Sequence, residues 1–239
     1  MKNVVLVVAA HPDDEVLGCG GTIAKHTASG DDVHILIMAE GLTSRDSTRN
    51  ASAHKQELTE LHANSQKVAE ILGAKSVTLH NFSDNRMDSV DLLDVVKAVE
   101  KIKDKVKPNI IYTHHAGDVN IDHQITHNAV VTACRPQPGE CVKRILFFET
   151  VSSTEWQMST ADKMFYPNWF VNIGDVFETK MTALKCYKTE MRKYPHSRSY
   201  EAVEFLARTR GFSIGVKYAE AFTLGRNICT DICSFGGGK

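Results

Sequence analysis

The amino-acid sequence predicts an α/β fold, in which a Rossmann-like, mostly parallel sheet carries helices on both faces. Three observations lead to this prediction. Short apolar runs of strand length alternate along the chain with amphipathic stretches of helix length. Glycine or proline follows several of the helical stretches, as expected where a helix ends. The strand-like runs read as buried, which is typical of a parallel sheet covered on both sides.

The elements follow one another in a regular order up to Glu149. Five runs are predicted as strands, namely Val4–Ala9, Val33–Met38, Val77–Leu79, Asn109–Thr113 and Ile145–Phe148. Helices are predicted between them and beyond, over Val16–Ser29, Ala51–Leu72, Val90–Val106, Asp122–Cys134, Asp175–Tyr187 and Ser199–Arg210. Residues 1–239 are expected to form one domain, with residues 150–235 shaping a substrate pocket and a disordered glycine tail at 236–238.

Composition excludes several classes of protein. The 239 residues carry a net charge of −1, so the clustered basic excess of a nucleic-acid-binding protein is missing. No apolar run reaches the roughly 18 residues of a membrane span. A strand begins almost at Met1, which leaves no room for a signal peptide. The 6 cysteines are scattered without a CxxC pair, so we expect reduced thiols and a cytoplasmic location. The partners expected for the chain are a small-molecule substrate, as the family resemblance described below implies, and a second copy of the chain if it forms a homo-oligomer.

One short segment concentrates chemically active side chains. His11, Asp13, Asp14 and Glu15 follow directly after the first predicted strand, in the sequence Ala-His-Pro-Asp-Asp-Glu. Neighbouring carboxylates repel each other unless a cation neutralises them. A divalent metal is such a cation, because one carboxylate can bind it while another stays free as a base. The segment is therefore predicted to hold a metal ion.

The third protein ligand is expected from the segment that follows the fourth strand. The carboxyl ends of parallel strands meet at one edge of a sheet, so this segment and the first acidic segment should lie together. Asp122 is predicted to cap a helix that begins with His123. His11, Asp14 and His123 would then form a set of two histidines and one carboxylate, typical of catalytic zinc sites that also hold a water molecule. Asp13 is the predicted free base.

These motifs resemble those of the GlcNAc-phosphatidylinositol de-N-acetylase family, also called PIG-L or LmbE-like. Its hallmark is Ala-His-Pro-Asp-Asp-Glu after the first strand, here residues 10–15, followed later by Asp-His, here Asp122-His123. The resemblance implies an enzyme that depends on zinc, with another divalent ion as the alternative. It also implies that acetate is released from a small N-acetylated amino-sugar derivative, such as a sugar nucleotide, a glycoside or a polysaccharide precursor. The implied metal ligands are His11, Asp14 and His123, and the implied base is Asp13.

The sequence departs from the family pattern next to the metal ligands. Many members have a histidine three residues before the second metal histidine, and this chain has Asn120 there. An asparagine amide donates a hydrogen bond to a developing oxyanion but transfers no proton near neutral pH. The leaving amine then needs another acid, and His196 is the predicted donor, with Asp13 as the alternative. The departure also keeps open a second hypothesis, a metal-dependent carbohydrate or metabolite binder without turnover.

The amino-terminal motifs have two interpretations other than a metal site. Gly18, Gly20 and Gly21 between two strands, with Glu40 after the second, resemble a dinucleotide site. The preceding carboxylates would repel a pyrophosphate, and close backbone packing also explains the glycines. A solvated acidic loop at a helix start would suit the helix dipole, but it accounts neither for the histidine nor for the position at the sheet edge.

The other histidines near the second motif have several interpretations. His127 is predicted to be structural, because a zincin pair needs a glutamate next to the first histidine, where the chain has Gln124. His114 and His115 are placed either behind the metal ligands or in strand-end packing. Asp118 is expected either to orient a ligand or to close a turn.

Overall fold

A seven-stranded sheet with a parallel core organises the molecule. A computed structural model of the chain describes residues 2–43 and 54–229. The strands are β1 (Val4–Ala9), β2 (Asp32–Ala39), β3 (Ser76–Phe82), β4 (Ile110–His114), β5 (Arg144–Phe148), β6 (Trp169–Asn172) and β7 (Ala219–Asn227). Their order across the sheet is β3-β2-β1-β4-β5-β7-β6. The first five in this order are parallel, and β7 runs antiparallel to both β5 and β6.

Helices cover both faces of this sheet. They are α1 (Asp14–Ala28), α2 (Lys55–Leu72), α3 (Leu92–Val106), α4 (Ile121–Ala133), α5 (Phe177–Leu184) and α6 (Tyr200–Phe212). Because side chains alternate along a strand, β1 serves two apolar cores. Val5 and Val7 belong to the core formed with α1, α2, α5 and α6. Leu6 and Val8 belong to the core formed with α3 and α4.

The predicted fold class is confirmed, while two strands are absent from the sequence prediction. Both missed strands, β6 and β7, belong to the antiparallel edge of the sheet. β6 has only 4 residues, and β7 mixes charged residues with apolar ones, as in Ala-Glu-Ala-Phe-Thr-Leu-Gly-Arg-Asn. β6 has only three consecutive apolar residues, which is too short a run to identify a strand, and β7 lacks the continuous apolar character of the buried parallel strands. The predicted helix residues 51–53 and the glycine tail lie outside the described residues.

Helix α1 is bent close to the site, and a buried ion pair closes the bend. Cys19 has φ −149° and ψ 23°, which interrupts the helical hydrogen bonds. The Glu220 carboxylate accepts hydrogen bonds from the freed N–H groups of Gly21 (2.9 Å) and Thr22 (2.6 Å). Lys180 Nζ donates to Glu220 Oε1 at 2.6 Å and neutralises the buried charge. The first turn of α1 therefore points in a different direction from the rest of the helix.

The glycines of α1 allow this helix to approach its neighbours closely. A Cβ on Gly18 would lie 2.3 Å from the Phe148 ring, and a Cβ on Gly21 would lie 2.8 Å from Ile173. Real side chains do not tolerate such distances, so both positions need glycine for packing. The packing interpretation thus explains the glycine cluster without a dinucleotide.

The strand order places a crevice between β1 and β4. From β1 the chain builds β2 and β3 on one side, and it then returns to place β4 on the other side of β1. Such a reversal is where ligands bind in open α/β sheets, outside the carboxyl ends of the strands. The segments after β1 and β4 both leave the sheet at this crevice. In the part of the chain that the structure describes, no helix has the length and apolar character needed to cross a bilayer.

Candidate metal centre

The turn after β1 is held by side chains that bind its backbone. Its N–H groups find acceptors nearby: Ala10 N–H donates to His114 Nε2 (2.9 Å) and His11 N–H to Asp14 Oδ2 (2.9 Å). Asp13 N–H donates to Glu15 Oε2 (3.0 Å). Asp13 itself has φ 116°, a backbone conformation that residues other than glycine rarely adopt. This network fixes the direction in which each acidic side chain leaves the turn.

The predicted ligands His11, Asp14 and His123 come together at the crevice. Asp14 Oδ2 lies 3.2 Å from His11 Nδ1 and 3.2 Å from His123 Nε2. All three side chains are buried, and their candidate ligand atoms lie within 4.8 Å of one another. Asp14 Oδ1 and His123 Nε2 are buried without a hydrogen-bond partner. Two imidazoles, one carboxylate and two unsatisfied polar atoms fit a divalent metal ion.

A carboxylate lies behind each of the two histidines. His11 Nε2 lies 3.0 Å from Asp122 Oδ2, which also accepts a hydrogen bond from Asn85 N–H at 2.7 Å. His123 Nδ1 lies 2.8 Å from Asp118 Oδ2. Each imidazole therefore faces a carboxylate with one ring nitrogen and Asp14 with the other. Such pairs fix the tautomer and orientation of metal-binding histidines.

Two roles expected from the sequence change or become definite here. Asp122 does not cap α4: the helix begins at Ile121, and its N-cap is Asn120. Asp122 lies inside the first turn, with both carboxylate oxygens bound to backbone N–H groups, and so acts behind His11. Asp118 has both of its expected contacts: its carboxylate faces His123, and its backbone N–H closes a turn on the carbonyl of His115 at 3.4 Å.

Two further groups of potential ligands share residues with this set. One combines His114, Asp118 and His123, and the other combines His11 with Asp84 and Asp122. In the first group, His114 Nε2 already accepts the backbone N–H of Ala10. In the second, the carboxylates face His11 Nε2, which acts as their donor. These groups are the hydrogen-bonded surroundings of the ligands.

The charges of the centre call for a cation. Burial alone would lower the pKa of His11, yet Asp122, Asp14 and Asp84 raise it well above its ordinary value. Burial would raise the pKa of Asp14, but the two imidazoles of the set hold it well below its ordinary value. The carboxylates thus outnumber the cations around them, and a divalent ion would supply the positive charge that they favour.

Asp13 stays out of the ligand set. Its side chain is 1% exposed, and its Oδ2 accepts a hydrogen bond from Arg198 Nη1 at 2.8 Å. Its Oδ1 is buried without a hydrogen-bond partner. Burial raises the pKa of Asp13 well above its ordinary value, Arg198 lowers it, and the neighbouring Asp14 raises it again. One oxygen of Asp13 is therefore bound by an arginine and the other has no hydrogen-bond partner, while its role as a general base stays a prediction.

Asn120 lies at the N-terminus of α4, three residues before the candidate ligand His123. Its Oδ1 accepts hydrogen bonds from the N–H groups of Asp122 (2.9 Å) and His123 (3.4 Å). Its Nδ2 donates to Asn85 Oδ1 at 2.9 Å and carries a second N–H for a substrate oxygen. Asn120 therefore caps the helix that positions a ligand, and its role toward an oxyanion stays a prediction.

His196 lies in a turn between α5 and α6. Its Nδ1 accepts the backbone N–H of Arg198 at 3.0 Å, and its ring meets the edge of Trp156 with centroids 5.6 Å apart. Nε2 is then the nitrogen that would exchange a proton. It is Arg198, two residues further on, whose side chain contacts Asp13. The role of His196 as proton donor stays a prediction.

The remaining histidines near the second motif serve the structure around the ligands. His114 stacks on His123 with ring centroids 3.8 Å apart, and burial lowers its pKa to about 4. His115 Nε2 donates to the carbonyl of Lys163 at 2.9 Å. His127 Nδ1 donates to the carbonyl of His114 at 2.8 Å, which agrees with its predicted structural role.

Sequence reasoning missed two groups that complete the centre. Arg198 lies two residues after His196, the only residue of this segment that the sequence analysis predicts to be catalytic. No spacing rule connects Arg198 with Asp13. Glu15 serves the structure: it accepts hydrogen bonds from Asp13 N–H and from the Tyr187 hydroxyl (2.7 Å), and burial raises its pKa to about 7. Both contacts span more than 170 positions of the chain, and such pairs leave no local pattern.

The family of the chain is decided by comparison with known protein families. The PIG-L profile, described as GlcNAc-PI de-N-acetylase, matches residues 6–134, more than half of the chain. The chain belongs to the PIG-L family. The matched stretch runs from β1 to the end of α4 and contains His11, Asp14 and His123, the three candidate ligands.

Individual relatives of this PIG-L protein extend the likeness beyond the matched stretch. The diacetylchitobiose deacetylase of Thermococcus kodakarensis is 27% identical over 247 residues, which cover 97% of this chain and 86% of that protein. The structure of the N,N'-diacetylchitobiose deacetylase from Pyrococcus horikoshii is similar with a TM-score of 0.75 at 21% identity, covering 98% and 87% of the two chains.

A structural neighbour with a different activity limits what the fold alone implies. The 4-carboxy-2-hydroxymuconate hydratase from Pseudomonas putida matches with a TM-score of 0.73 at 24% identity, covering 97% of this chain and 99% of that one. The same fold thus hosts a protein named as a deacetylase and another named as a hydratase. The reaction of this chain has to be argued from its site.

Proposed function

We propose that this PIG-L protein is a zinc-dependent N-deacetylase that hydrolyses the acetamide of a small N-acetylated amino-sugar derivative. The observation that carries the proposal is the convergence of His11, Asp14 and His123 at the β1–β4 crevice, with Asp13 beside them and outside the set. A ligand set of two histidines and one carboxylate suits a catalytic zinc ion. The likeness to diacetylchitobiose deacetylases supports the acetamide as the reacting group.

The residues present fit a bound ion in a defined way. His11 Nδ1, Asp14 and His123 Nε2 would hold it, since the other ring nitrogen of each histidine is engaged by a carboxylate behind the centre. When bound, a divalent ion polarises the acetamide carbonyl and lowers the pKa of a water molecule. The proton transfers and the orientation of the substrate are left to the side chains.

Asp13 performs the first proton transfer. Its Oδ1 takes a proton from the attacking water while the water oxygen bonds to the carbonyl carbon, and the carbonyl electron pair moves to oxygen. The second N–H of Asn120 Nδ2 donates to the oxyanion that results. When the oxyanion collapses, the carbon–nitrogen bond breaks and the nitrogen needs a proton. His196 supplies it, or Asp13 returns the proton that it took, and acetate and a free amine result.

We propose that the carboxy-terminal region helps to shape the substrate pocket of what we treat as one domain. The charge of Glu190 raises the pKa of Asp13. Glu190 and Thr189 line a cavity of about 260 Å³ together with Leu61 and Asn64 of α2. This position supports the expectation that residues 150–235 shape the pocket. A cytoplasmic location and assembly into a homo-oligomer stay predictions from the sequence.

Acetate release from defined amino sugars tests the proposal. Purified protein is loaded with zinc and given N-acetylglucosamine or N,N'-diacetylchitobiose, and both acetate and free amine are measured. We expect equal amounts of the two products, loss of both after treatment with a chelator, and recovery when zinc is returned. Asp13→Asn serves as the matched control, since it removes the base and leaves the ligands.

A clear negative result would favour the alternative hypothesis. Zinc-loaded protein that binds these sugars in calorimetry but releases no acetate would be a metal-dependent binder without turnover. In that case the deacetylase proposal is wrong.

A further inference from the structure

Arg198 reaches the metal centre from a distant part of the chain. Its Nη1 donates to Asp13 Oδ2 at 2.8 Å, and its Nε donates to Ser152 Oγ at 2.7 Å. Its backbone N–H donates to His196 Nδ1. The Arg198 side chain is 22% exposed and that of Asp13 is 1% exposed, so the pair is largely shielded from water. A guanidinium with these fixed contacts holds one orientation.

Arg198 also discriminates between the two adjacent aspartates. It binds Asp13 directly, whereas its Nη2 lies 3.9 Å from Asp14 Oδ1, beyond hydrogen-bond distance. Asp14 turns its Oδ2 toward the two imidazoles. Both aspartates border the same centre, and a carboxylate next to a divalent ion tends to bind it. One of the two must stay unbound if it is to act as a base.

A single turn holds Arg198 and other parts of the centre together. Ser152 binds Arg198, Ser153 Oγ accepts the backbone N–H of Asn120 (3.3 Å), and Thr154 Oγ1 donates to Asp118 (2.6 Å). Ser152 has φ 67°, in the left-handed region that residues other than glycine rarely occupy. Three successive residues therefore contact three different groups around the metal ligands.

We propose that Arg198 is a positioning residue that holds Asp13 away from the metal ion and presents Asp13 Oδ1 to the reacting water. The assignment rests on the proposed function of Asp13 as base. It explains how two neighbouring aspartates take different roles: the imidazoles orient Asp14, and the guanidinium orients Asp13. Ser152 supports this role by fixing the plane of the guanidinium.

Cobalt(II) substituted for zinc reports the effect on the ligand set directly. In Arg198→Met, Asp13 loses its partner and joins the ion, which raises the coordination number and weakens the visible absorption bands of cobalt. The double variant Asp13→Asn/Arg198→Met should restore the wild-type spectrum, since asparagine is a poor ligand. Arg208→Met, which removes an arginine paired with Glu204 on the surface of α6, should leave the spectrum unchanged.

Steady-state kinetics provide the second readout. We expect Arg198→Met to lower kcat by about a hundredfold with little change in KM, as for a misplaced catalytic group. Arg198→Lys should recover part of the rate, and added guanidinium should partly rescue Arg198→Ala. If Arg198→Met fails to fold, Ser152→Ala carries the same test, with a smaller change in the same direction.

The outcomes separate this proposal from the proposed function. If the wild-type protein releases no acetate, the deacetylase proposal fails, while the cobalt spectra still test the position of Asp13. If Arg198→Met, or Ser152→Ala in its place, binds cobalt with the wild-type spectrum, the positioning role is overturned. Wild-type kcat in Arg198→Met would overturn it as well.

Discussion

Two regions of the molecule meet at the metal centre and differ in how they reach it. The amino-terminal region, from β1 to α4, supplies every candidate ligand: His11 and Asp14 directly after β1, and His123 from α4, which follows the neighbouring parallel strand β4. The carboxy-terminal region, residues 150–212, supplies Arg198 and the Ser152–Thr154 turn. These arrive from connections between elements, with no strand end to direct them.

The difference teaches which parts of a site the chain encodes locally. A ligand that follows a parallel strand is placed by the sheet, because all such strands end at the same edge. A residue in a long connection is placed by its tertiary contacts. Sequence reasoning can therefore select a residue that lies two positions from the one that reaches the site. His196 and Arg198 illustrate this, since only the second contacts Asp13.

Removing a ligand histidine should have the largest effect. His11→Ala or His123→Ala takes one of three protein ligands from a buried site, so we expect most of the bound zinc and nearly all activity to be lost. Metal content per chain, measured by mass spectrometry, checks this. His127→Ala is the matched control on α4, because His127 donates its hydrogen bond to the backbone carbonyl of His114 and is not a candidate ligand. Full zinc content in both ligand variants would contradict the assignment.

Removing the base should separate chemistry from metal binding. In Asp13→Asn we expect the zinc content to stay at the wild-type level while kcat falls about a hundred- to ten-thousand-fold, the usual contribution of a general base. Asp14→Asn should show the reverse order, with weaker metal binding first. Turnover of Asp13→Asn at the wild-type rate would rule out its role.

The carboxylates behind the histidines should have an intermediate effect. Asp118→Asn and Asp122→Asn keep the shape but remove the charge that orients each imidazole, so we expect metal affinity to fall about 10- to 100-fold. Competition with a chromogenic chelator measures this. Asp31→Asn is a suitable control, since Asp31 also pairs with a histidine, His26, at a distance of 2.6 Å, and this pair is not part of the metal centre. Equal losses in all three variants would speak against a specific role behind the metal.

Substitution of His196, the residue of the carboxy-terminal region that we propose as proton donor, should have the smallest effect on activity. If His196 donates the proton to the amine, His196→Gln lowers the rate and removes the fall in activity at high pH, because that fall reports loss of the donor proton. Zinc content should stay constant. Asn120→His should be tolerated and should restore activity to the His196 variant. An unchanged rate and pH profile in His196→Gln would assign the donor role to Asp13.

Much of the fold and of the ligand set could be predicted from the sequence. The five parallel strands appear as separate apolar runs, and their alternation with helices implies the sheet and its ligand-binding edge. Three carboxylates and a histidine after β1 imply a cation. By contrast, β6 and β7 pair antiparallel at the sheet edge, where β6 has only 4 residues and β7 mixes polar with apolar residues, so no periodic pattern identified them.

The sequence by itself determined the fold class, the edge at which the site forms and the identity of the candidate metal ligands, because these depend on local patterns and on the geometry of parallel strands. The tertiary structure alone decided which side chains surround them. It turned Asp122 from a predicted helix cap into the partner of His11, made Asn120 the cap, and brought Arg198 to Asp13 across 185 positions of the chain. Contacts between such distant residues depend on how connections pack, and packing is specified by the whole chain.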